Sequence, residues 1–262
     1  MVRVLAVTNQ KGGVGKSTTA VNLAACLAEA RQRVLLIDLD PQGNATTGCG
    51  IAKLQGLLTV YPVLIGRATI RDNRLRTAYG FDLLPATRDL AGAEIDLISL
   101  EQREYRLRNA LKEVSAEYDF VLLDCPPALN MLTVNGLVAA DRVMIPMQCE
   151  YYALEGLTDL VATLKKVRAN LNPHLEIEGL LRTMYDPRST LTQQVSKELE
   201  SHFGDKVYRT IVPRNVRLAE APSYGKPVIV FDRTSKGAQA YLSLAGELLS
   251  RRSGNLSAAG RA

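Results

Sequence analysis

Two kinds of hydrophobic pattern alternate along the chain. Short segments that are apolar at nearly every position predict buried strands, and longer segments with apolar residues at helical spacing predict helices. The predicted strands are residues 2–8, 33–37, 81–85, 120–124, 142–147, 177–183 and 207–212. The predicted helices are residues 16–30, 101–117, 133–139, 153–170, 191–202 and 237–251. Apolar strands separated by helices indicate an α/β fold with a single doubly wound, mostly parallel sheet and helices on both faces.

This alternation continues nearly to the end of the sequence, so we predict one domain over residues 1–252. Residues 253–262 are mostly small and polar, and we expect them to form a disordered tail. Residues 51–79 interrupt the pattern and are expected to be an elaboration beside the functional site. The sequence has no apolar run of about 18 residues and no signal-peptide pattern at its start, so it predicts a cytoplasmic protein.

Composition narrows the function classes. Of the 262 residues, 47% are hydrophobic and 23% are charged, which excludes a chain that is disordered throughout. The cysteines are scattered without a paired spacing, at Cys26, Cys49, Cys125 and Cys149. Such spacing does not predict a zinc site, an iron–sulfur cluster or a disulfide framework, and it favours buried thiols.

The positive charge is unevenly distributed. Residues 1–208 carry 23 basic and 24 acidic side chains, which gives −1. Residues 209–236 carry 6 basic and 2 acidic side chains, which gives +4, and the remaining residues add 3 − 1 = +2 to reach the total of +5. A basic excess confined to the C-terminal part favours a polyanionic partner, although a solvated basic face would have the same composition.

The strongest chemical signal follows the first predicted strand, where residues 9–18 read NQKGGVGKST and a helix begins. Glycines allow backbone N–H groups to point at phosphate oxygens, and the helix adds the positive end of its dipole. In such a loop Lys16 supplies a charge to the β- and γ-phosphates, and the hydroxyl of Ser17 is a Mg²⁺ ligand. The segment therefore predicts a site for a nucleoside triphosphate.

The loop departs from the standard pattern G-x-x-x-x-G-K-[ST] in two ways. Gln10 replaces the first glycine, and an additional lysine, Lys11, lies five residues before Lys16. A dinucleotide-binding loop is an alternative interpretation, because two glycines follow a strand and Asp38 lies where a ribose-binding acid is expected. Thr18 stands in place of the third glycine of that fingerprint, and the Lys–Ser pair suits a triphosphate with Mg²⁺. The triphosphate is therefore favoured.

The segment KGGVGKST resembles the deviant Walker A loop of the ParA/MinD superfamily of ATPases. Further segments are similar to its chromosomal ParA (Soj) branch: DLDPQGNATTG at 38–48, DCPP at 124–127, QCEYYALEGL at 148–157, TMYD at 183–186 and VPRNVRLAEAPSYGKP at 212–227. The resemblance extends over nearly the whole chain, and its long C-terminal segment is more specific than the loop. It implies a P-loop NTPase-like fold, slow Mg²⁺-dependent hydrolysis of ATP, and ATP and Mg²⁺ as cofactors.

The resemblance also implies roles for individual residues. The expected catalytic residues are Lys11, which would reach the ATP of a partner subunit, Lys16, and Asp40, which would position the attacking water. The expected Mg²⁺ ligands are Ser17, Asp40 and Asp124, the last at the end of an apolar strand as in a Walker B motif. The expected nucleotide contacts are Lys11, Gly12, Gly13, Val14, Gly15, Lys16, Ser17, Thr18, Asp124, Pro213 and Asn215, with Pro213 and Asn215 at the adenine.

DNA partitioning is the function that the resemblance implies. An ATP-bound homodimer would bind double-stranded DNA without sequence preference on the nucleoid, and a ParB/Spo0J-like partner would stimulate hydrolysis and release. The expected DNA contacts are Arg188, Arg217, Lys226, Arg233 and Lys236. Whether a chromosome or a plasmid is served stays open.

Three other functions are weighed against this one. A MinD-like ATPase that acts on a membrane needs a C-terminal amphipathic helix, and SGNLSAAGRA has one leucine and no aromatic residue. An iron–sulfur scaffold or a nitrogenase-reductase-like protein needs a cysteine motif that the sequence lacks. A binding module without activity would lack the residues needed for hydrolysis. The sequence contains all of them: Lys16, Ser17, Asp40 and Asp124. Partitioning is therefore the leading hypothesis.

Overall fold

The computed structural model describes residues 2–259, with side chains described to residue 252. Its strands are β1 (Arg3–Val7), β2 (Val34–Asp38), β3 (Leu75–Arg76), β4 (Asp82–Leu84), β5 (Phe120–Asp124), β6 (Arg142–Gln148), β7 (Glu176–Tyr185) and β8 (Val207–Pro213). They form one sheet in the order β3-β4-β2-β5-β1-β6-β7-β8. Only β3 and β4 are antiparallel neighbours in this described sheet, so the predicted mostly parallel α/β fold is confirmed.

Helices cover both faces of the sheet. In chain order they are α1 (Lys16–Glu29), α2 (Asn44–Gly48), α3 (Val60–Leu64), α4 (Ile70–Asn73), α5 (Leu90–Ile98), α6 (Arg106–Leu111), α7 (Met131–Ala139), α8 (Ala153–Asn170), α9 (Thr190–Phe203), α10 (Val216–Glu220), α11 (Val228–Phe231) and α12 (Lys236–Ala259). Short 3₁₀ turns lie at Arg103–Tyr105, Ser115–Glu117, Gly204–Lys206 and Ala221–Tyr224.

Each face of the sheet has its own hydrophobic core. Along β1, Val4 and Ala6 face the core formed with α3 to α9, whereas Leu5 and Val7 face the core formed with α1, α11 and α12. Because successive side chains of a strand point to opposite faces, a strand covered on both sides must be apolar throughout. This requirement explains the continuous apolar segments of the sequence.

The predicted boundaries differ from the structure mainly where the elements are short. The predicted helix over residues 101–117 is wrong as a single element: α6 spans Arg106–Leu111, and 3₁₀ turns flank it. Gln102 adopts a left-handed backbone with φ of 50°, which no continuous helix contains. The two-residue strand β3 and the helices α2 to α5, α10 and α11 were not predicted from the pattern.

The C-terminal helix continues beyond its predicted end. α12 reaches Ala259, so residues 253–259 of the expected disordered tail have a helical backbone, and residues 260–262 lie outside the described residues. The division into a domain over residues 1–252 and a tail stays a prediction. Within residues 2–259, no helix combines the length and apolar character needed to cross a membrane.

Candidate nucleotide site

Three central strands end side by side at one edge of the sheet. In the register of β1, β2 and β5, both Val7 and Asp38 lie opposite Asp124. The loop of residues 9–15 follows β1 directly, and α1 begins at Lys16. Because ligands of open α/β sheets bind outside the carboxyl ends of the strands, this edge is the expected place for a site.

The loop has the backbone that its glycines predict. Gly13 and Gly15 have φ of 74° and 88°, a left-handed conformation that favours glycine. Two hydrogen bonds to neighbouring strands fix the loop in place: the Asn9 amide of the loop donates to the Pro146 carbonyl of β6 at 2.8 Å, and the Thr183 hydroxyl of β7 donates to the Val14 carbonyl of the loop at 2.8 Å. The pattern of residues 9–18 assigns no partner to the Asn9 amide, and Thr183 lies on β7, outside that segment.

Lys16 is a buried cation inside the loop. It is only 7% exposed, and its ammonium donates a 3.0 Å hydrogen bond to the Lys11 carbonyl. Burial lowers the pKa of Lys16, and the nearby carboxylates of Asp124 and Asp40 oppose that change. A partly desolvated ammonium of this kind interacts strongly with an anion that enters the site.

Asp124 is fully buried, and neither of its carboxylate oxygens has a hydrogen bond of normal geometry among the described residues. Burial, followed by the charge of Asp38, raises the pKa of Asp124 well above its ordinary value. The neighbouring Ser17 side chain and Lys16 oppose this rise. A buried carboxylate without hydrogen bonds is costly in free energy, so its oxygens are suited to a cation or to water bound at the site.

Asp38 and Asp124 are both buried at matched positions of the sheet, but they differ in their hydrogen bonds. Its carboxylate accepts hydrogen bonds from the Thr46 amide at 2.8 Å, the Thr46 hydroxyl at 2.7 Å and the Asp40 amide at 3.1 Å. Burial raises the pKa of Asp38 to about 6, and the bonds from Thr46 and Asp40 oppose this rise. These bonds anchor α2 to the end of β2, so Asp38 has a structural role here.

Asp40 lies on a tight turn between β2 and α2. Its carboxylate accepts a hydrogen bond from the Gln42 amide at 2.9 Å, and its carbonyl accepts one from the Gly43 amide at 2.8 Å. The side chain lines the same cavity as Lys16 and Ser17. The structure thus brings together two of the three predicted catalytic residues, Lys16 and Asp40, at one cavity.

This cavity has a volume of about 880 Å³. Of the predicted nucleotide contacts, it is lined by Gly12, Gly13, Gly15, Lys16, Ser17 and Thr18. The Val14 side chain is buried and does not line the cavity. Lys11 extends to the surface, where its ammonium lies 2.5 Å from a Glu150 carboxylate oxygen. Lys53 and Lys226 also line the cavity, the first from a segment without any recognisable motif and the second from the predicted DNA surface.

A smaller cavity of about 170 Å³ adjoins the loop at Gly15 and Thr18. Pro213 and Asn215 line it, as the predicted adenine contacts should. The side-chain oxygen of Asn215 accepts a 3.3 Å hydrogen bond from the Leu218 amide and caps α10, so its amide nitrogen is the group left for a ligand. Asn215 stays a predicted base contact.

The predicted DNA contacts do not form one cluster of unpaired charges. Arg188 pairs with Asp186 at 2.9 Å, Arg217 with Glu220 at 2.8 Å, and Arg233 with Glu29. Lys236 is exposed at the start of α12. Lys226 lines the nucleotide cavity, and this position favours a contact to the nucleotide over a contact to DNA.

Within residues 2–252, no group of three or more His, Cys, Asp or Glu side chains forms a metal-binding cluster. Mg²⁺ beside a nucleotide commonly has one or two protein ligands, completed by phosphates and water.

Comparisons with known proteins agree with this geometry. A family described as an AAA domain matches residues 2–177. The chain is 55% identical over 253 residues to the chromosome partitioning protein ParA of Caulobacter vibrioides, with 95% of each chain covered. It is 53% identical over 249 residues to the sporulation initiation inhibitor protein Soj of Bacillus subtilis, covering 95% of this chain and 98% of Soj. The chain belongs to the ParA/Soj family of chromosome-partitioning ATPases.

A solved structure extends the comparison to ligands. Cobyrinic acid a,c-diamide synthase from Mycobacterium smegmatis, with bound ADP and magnesium, is 40% identical, with a TM-score of 0.84 and coverage of 95% of this chain and 94% of that one. The ParA/Soj resemblance and the P-loop NTPase-like fold predicted from the sequence are thus confirmed. Membership in this family also confirms the predicted enzyme class, an ATPase.

Proposed function

We propose that this protein is an ATP-switched DNA-partitioning ATPase whose ATP-bound homodimer binds double-stranded DNA without sequence preference. A ParB-like partner stimulates hydrolysis and releases the DNA, and the protein acts in the cytoplasm on the nucleoid. One observation carries the chemical part of this proposal: the fully buried carboxylate of Asp124, which has no hydrogen bond of normal geometry among the described residues, lies beside Lys16 and Ser17 at the glycine loop.

ATP and Mg²⁺ fit the residues of this site. An added Cβ at Gly12 or Gly13 would meet nothing within 4 Å, so the loop leaves room for phosphates against its backbone. Ser17, Asp40 and Asp124 would hold Mg²⁺, which supplies charge neutralisation to the β- and γ-phosphates when bound. The expected cofactors agree with the Mycobacterium relative, which holds ADP and magnesium.

The hydrolytic roles follow from charge and position. Lys16, desolvated within the loop, binds the β- and γ-phosphates and stabilises the charge that develops on them. Asp40, held on its turn by the Gln42 amide, orients the attacking water. In-line attack on a γ-phosphate needs little more from the protein than positioning and electrostatic stabilisation.

Dimerisation places a second lysine at the phosphates. Lys11 is exposed in one chain and paired with Glu150, so it is free to exchange this weak surface partner for the phosphates of a facing subunit. Gly12 is exposed and open in the single chain, which suits a close approach between two loops. ATP would thereby join the two subunits.

The nucleotide cavity is physically connected to the basic segment of residues 209–236. Gly50, just after α2, packs so closely on the Gly225 carbonyl that an added Cβ would lie 2.8 Å from it. The Tyr79 hydroxyl donates a 2.5 Å hydrogen bond to the same carbonyl. Because α2 continues from the Asp40 turn, a movement of that turn reaches the segment that carries Arg217 and Arg233.

DNA binding with no nucleotide, ADP, ATP and a non-hydrolysable ATP analogue tests the proposal. We expect tight binding to duplexes of unrelated sequence only with ATP or its analogue. Equal binding in all four states would contradict the switch. Preferential ATP-dependent binding to anionic vesicles would instead support the MinD-like alternative.

A further inference from the structure

Lys53 is the feature of the site that neither the loop pattern nor the family resemblance assigns. It lies in the irregular segment between α2 and α3, and it lines the nucleotide cavity. Its ammonium donates a 2.6 Å hydrogen bond to the Gln42 carbonyl and a 3.4 Å hydrogen bond to the Gly43 carbonyl. Both acceptors belong to the turn that presents Asp40.

We propose that Lys53 is a positioning residue for ATP hydrolysis, which acts by clamping the Asp40–Gly43 turn from the side of the cavity. The inference rests on the proposed role of Asp40 in orienting the attacking water. It differs from the roles of Lys11 and Lys16, because Lys53 acts on backbone carbonyls of its own chain.

The contacts around Gly43 show how the clamp works. Gly43 has φ of 61°, and an added Cβ would lie 2.6 Å from the Ala86 carbonyl and 2.9 Å from the Lys53 side-chain Cδ. The turn is therefore enclosed between the segment that follows β4 on one side and the aliphatic stem of Lys53 on the other. A turn held on two sides presents Asp40 in one position, and a turn held on one side can move away from the phosphates.

The chain of hydrogen bonds leads from Lys53 to the carboxylate. Lys53 holds the carbonyl of Gln42, and the amide of Gln42 donates to the carboxylate of Asp40 at 2.9 Å. No carboxylate within residues 2–252 forms an ion pair with Lys53. The hydrogen bonds of its ammonium go to the carbonyls of the turn. Hydrogen bonds from a charged donor are stronger than neutral ones, which suits a clamp at an exposed position.

The loop that carries Lys53 is itself attached to the same region. The Ile51 amide donates to the Thr46 carbonyl at 3.2 Å, and the Val60 amide donates to the Pro85 carbonyl at 2.9 Å. Thr46 in turn donates its hydroxyl to Asp38. Both ends of the loop are thus fixed beside the turn, which keeps the Lys53 side chain within hydrogen-bond distance of it.

The test compares Lys53→Met, which removes the donor but keeps the stem, with Lys53→Arg, which keeps a charged donor. Single-turnover hydrolysis at saturating ATP and Mg²⁺, and dissociation constants for ATP and ADP, are measured without DNA. We expect Lys53→Met to lower the rate about tenfold, as loss of one charged hydrogen bond predicts, with both dissociation constants changed less than about threefold. Lys53→Arg should recover most of the rate.

Amide hydrogen exchange supplies a readout that does not depend on activity. Exchange at Gln42 and Gly43 should accelerate in Lys53→Met and stay near wild type in Lys53→Arg. Lys166→Met, which removes an exposed lysine of α8, serves as the matched control and should change neither exchange nor rate.

Three results would overturn the inference: an unchanged rate in Lys53→Met, a selective loss of ATP affinity over ADP affinity, which would indicate a direct contact to the γ-phosphate, and equal losses of both affinities. Asp40→Ala is measured in parallel. If that variant hydrolyses ATP at the wild-type rate, the proposed role of Asp40 fails; if it is inactive and Lys53→Met is fully active, only the role of Lys53 fails.

Discussion

The nucleotide cavity and the basic segment of residues 209–236 use charge in opposite ways. At the nucleotide site, Lys16 is 7% exposed and Asp124 is not exposed at all, and the Asp124 carboxylate has no hydrogen bond of normal geometry among the described residues. In the basic segment, the Arg217 side chain is 52% exposed and already forms ion pairs with Glu220 and Asp232. Buried charges interact strongly and depend on exact partners, whereas exposed paired charges contribute little singly and act through their summed field. We therefore expect large effects of single changes in the first region and graded ones in the second.

The largest effect is expected from Lys16→Ala. This change removes the buried cation beside Asp124 and leaves the triphosphate without its main side-chain charge. Loss of one partner of a buried charge pair costs about 4 kcal/mol, so ATP binding should weaken by about 1,000-fold. Isothermal titration with ATP and Mg²⁺ measures it, and near-normal affinity would show that the loop does not bind phosphate as described.

Asp40→Ala separates binding from hydrolysis. Since Asp40 does not anchor the loop, and Ser17 and Asp124 would still hold Mg²⁺, ATP affinity should stay within a few-fold of wild type. Hydrolysis should be slower by about 100-fold or more, because the attacking water loses the carboxylate that orients it. The variant should accumulate as a dimer at saturating ATP, measured by light scattering; a monomer under those conditions would count against the switch role.

Gly12→Val tests whether two loops approach each other. Within one chain a Cβ at this position meets nothing within 4 Å, so folding and nucleotide binding should survive. A β-branched side chain in a close backbone approach should prevent the dimer. Sedimentation with ATP checks this expectation, and a stable dimer of the variant would remove the face-to-face arrangement.

Arg217→Glu probes the exposed region. If each subunit contacts about two phosphates, log affinity for DNA against log salt should slope near −4 for the dimer, and the change should flatten the slope by roughly two. Hydrolysis and dimerisation should be unaffected, because Arg217 contacts neither the loop nor the Asp40 turn. An unchanged slope would exclude Arg217 from the DNA surface. Duplexes of equal length and scrambled sequence should bind alike.

The smallest effect is expected from Tyr79→Phe, which removes only the hydroxyl that bonds to the Gly225 carbonyl. The ring remains, and with it the packing against Phe81. Loss of one such bond is worth about 1 kcal/mol, so the stimulation of DNA binding by ATP should fall about fivefold. Affinity titrations with and without ATP measure it; an unchanged stimulation would mean that the Gly50–Gly225 contact does not transmit the nucleotide state.

The sequence was sufficient for the parts of the site that follow from local pattern. From the sequence one could locate the glycine loop, Lys16 and the strand that ends in Asp124. Their residue types follow directly from the local backbone: glycines where the loop curls, and an apolar strand that ends in an acid. Lys53 could not be found, because its contacts are to backbone carbonyls and leave no signature of residue types. The same holds for the Tyr79–Gly225 contact, which joins residues 146 positions apart.

The most direct test of ATP-switched DNA binding compares two variants that both bind ATP but differ in the dimer they form. Asp40→Ala and Gly12→Val are titrated with a fluorescent duplex of arbitrary sequence at saturating ATP and Mg²⁺, with nucleotide occupancy confirmed for each. Asp40→Ala should bind DNA at least as tightly as wild type, and Gly12→Val should bind at least about tenfold more weakly, because a monomer presents half of the basic surface. Equal affinities of the two variants would contradict the proposal that dimerisation, driven by ATP, assembles the DNA-binding surface.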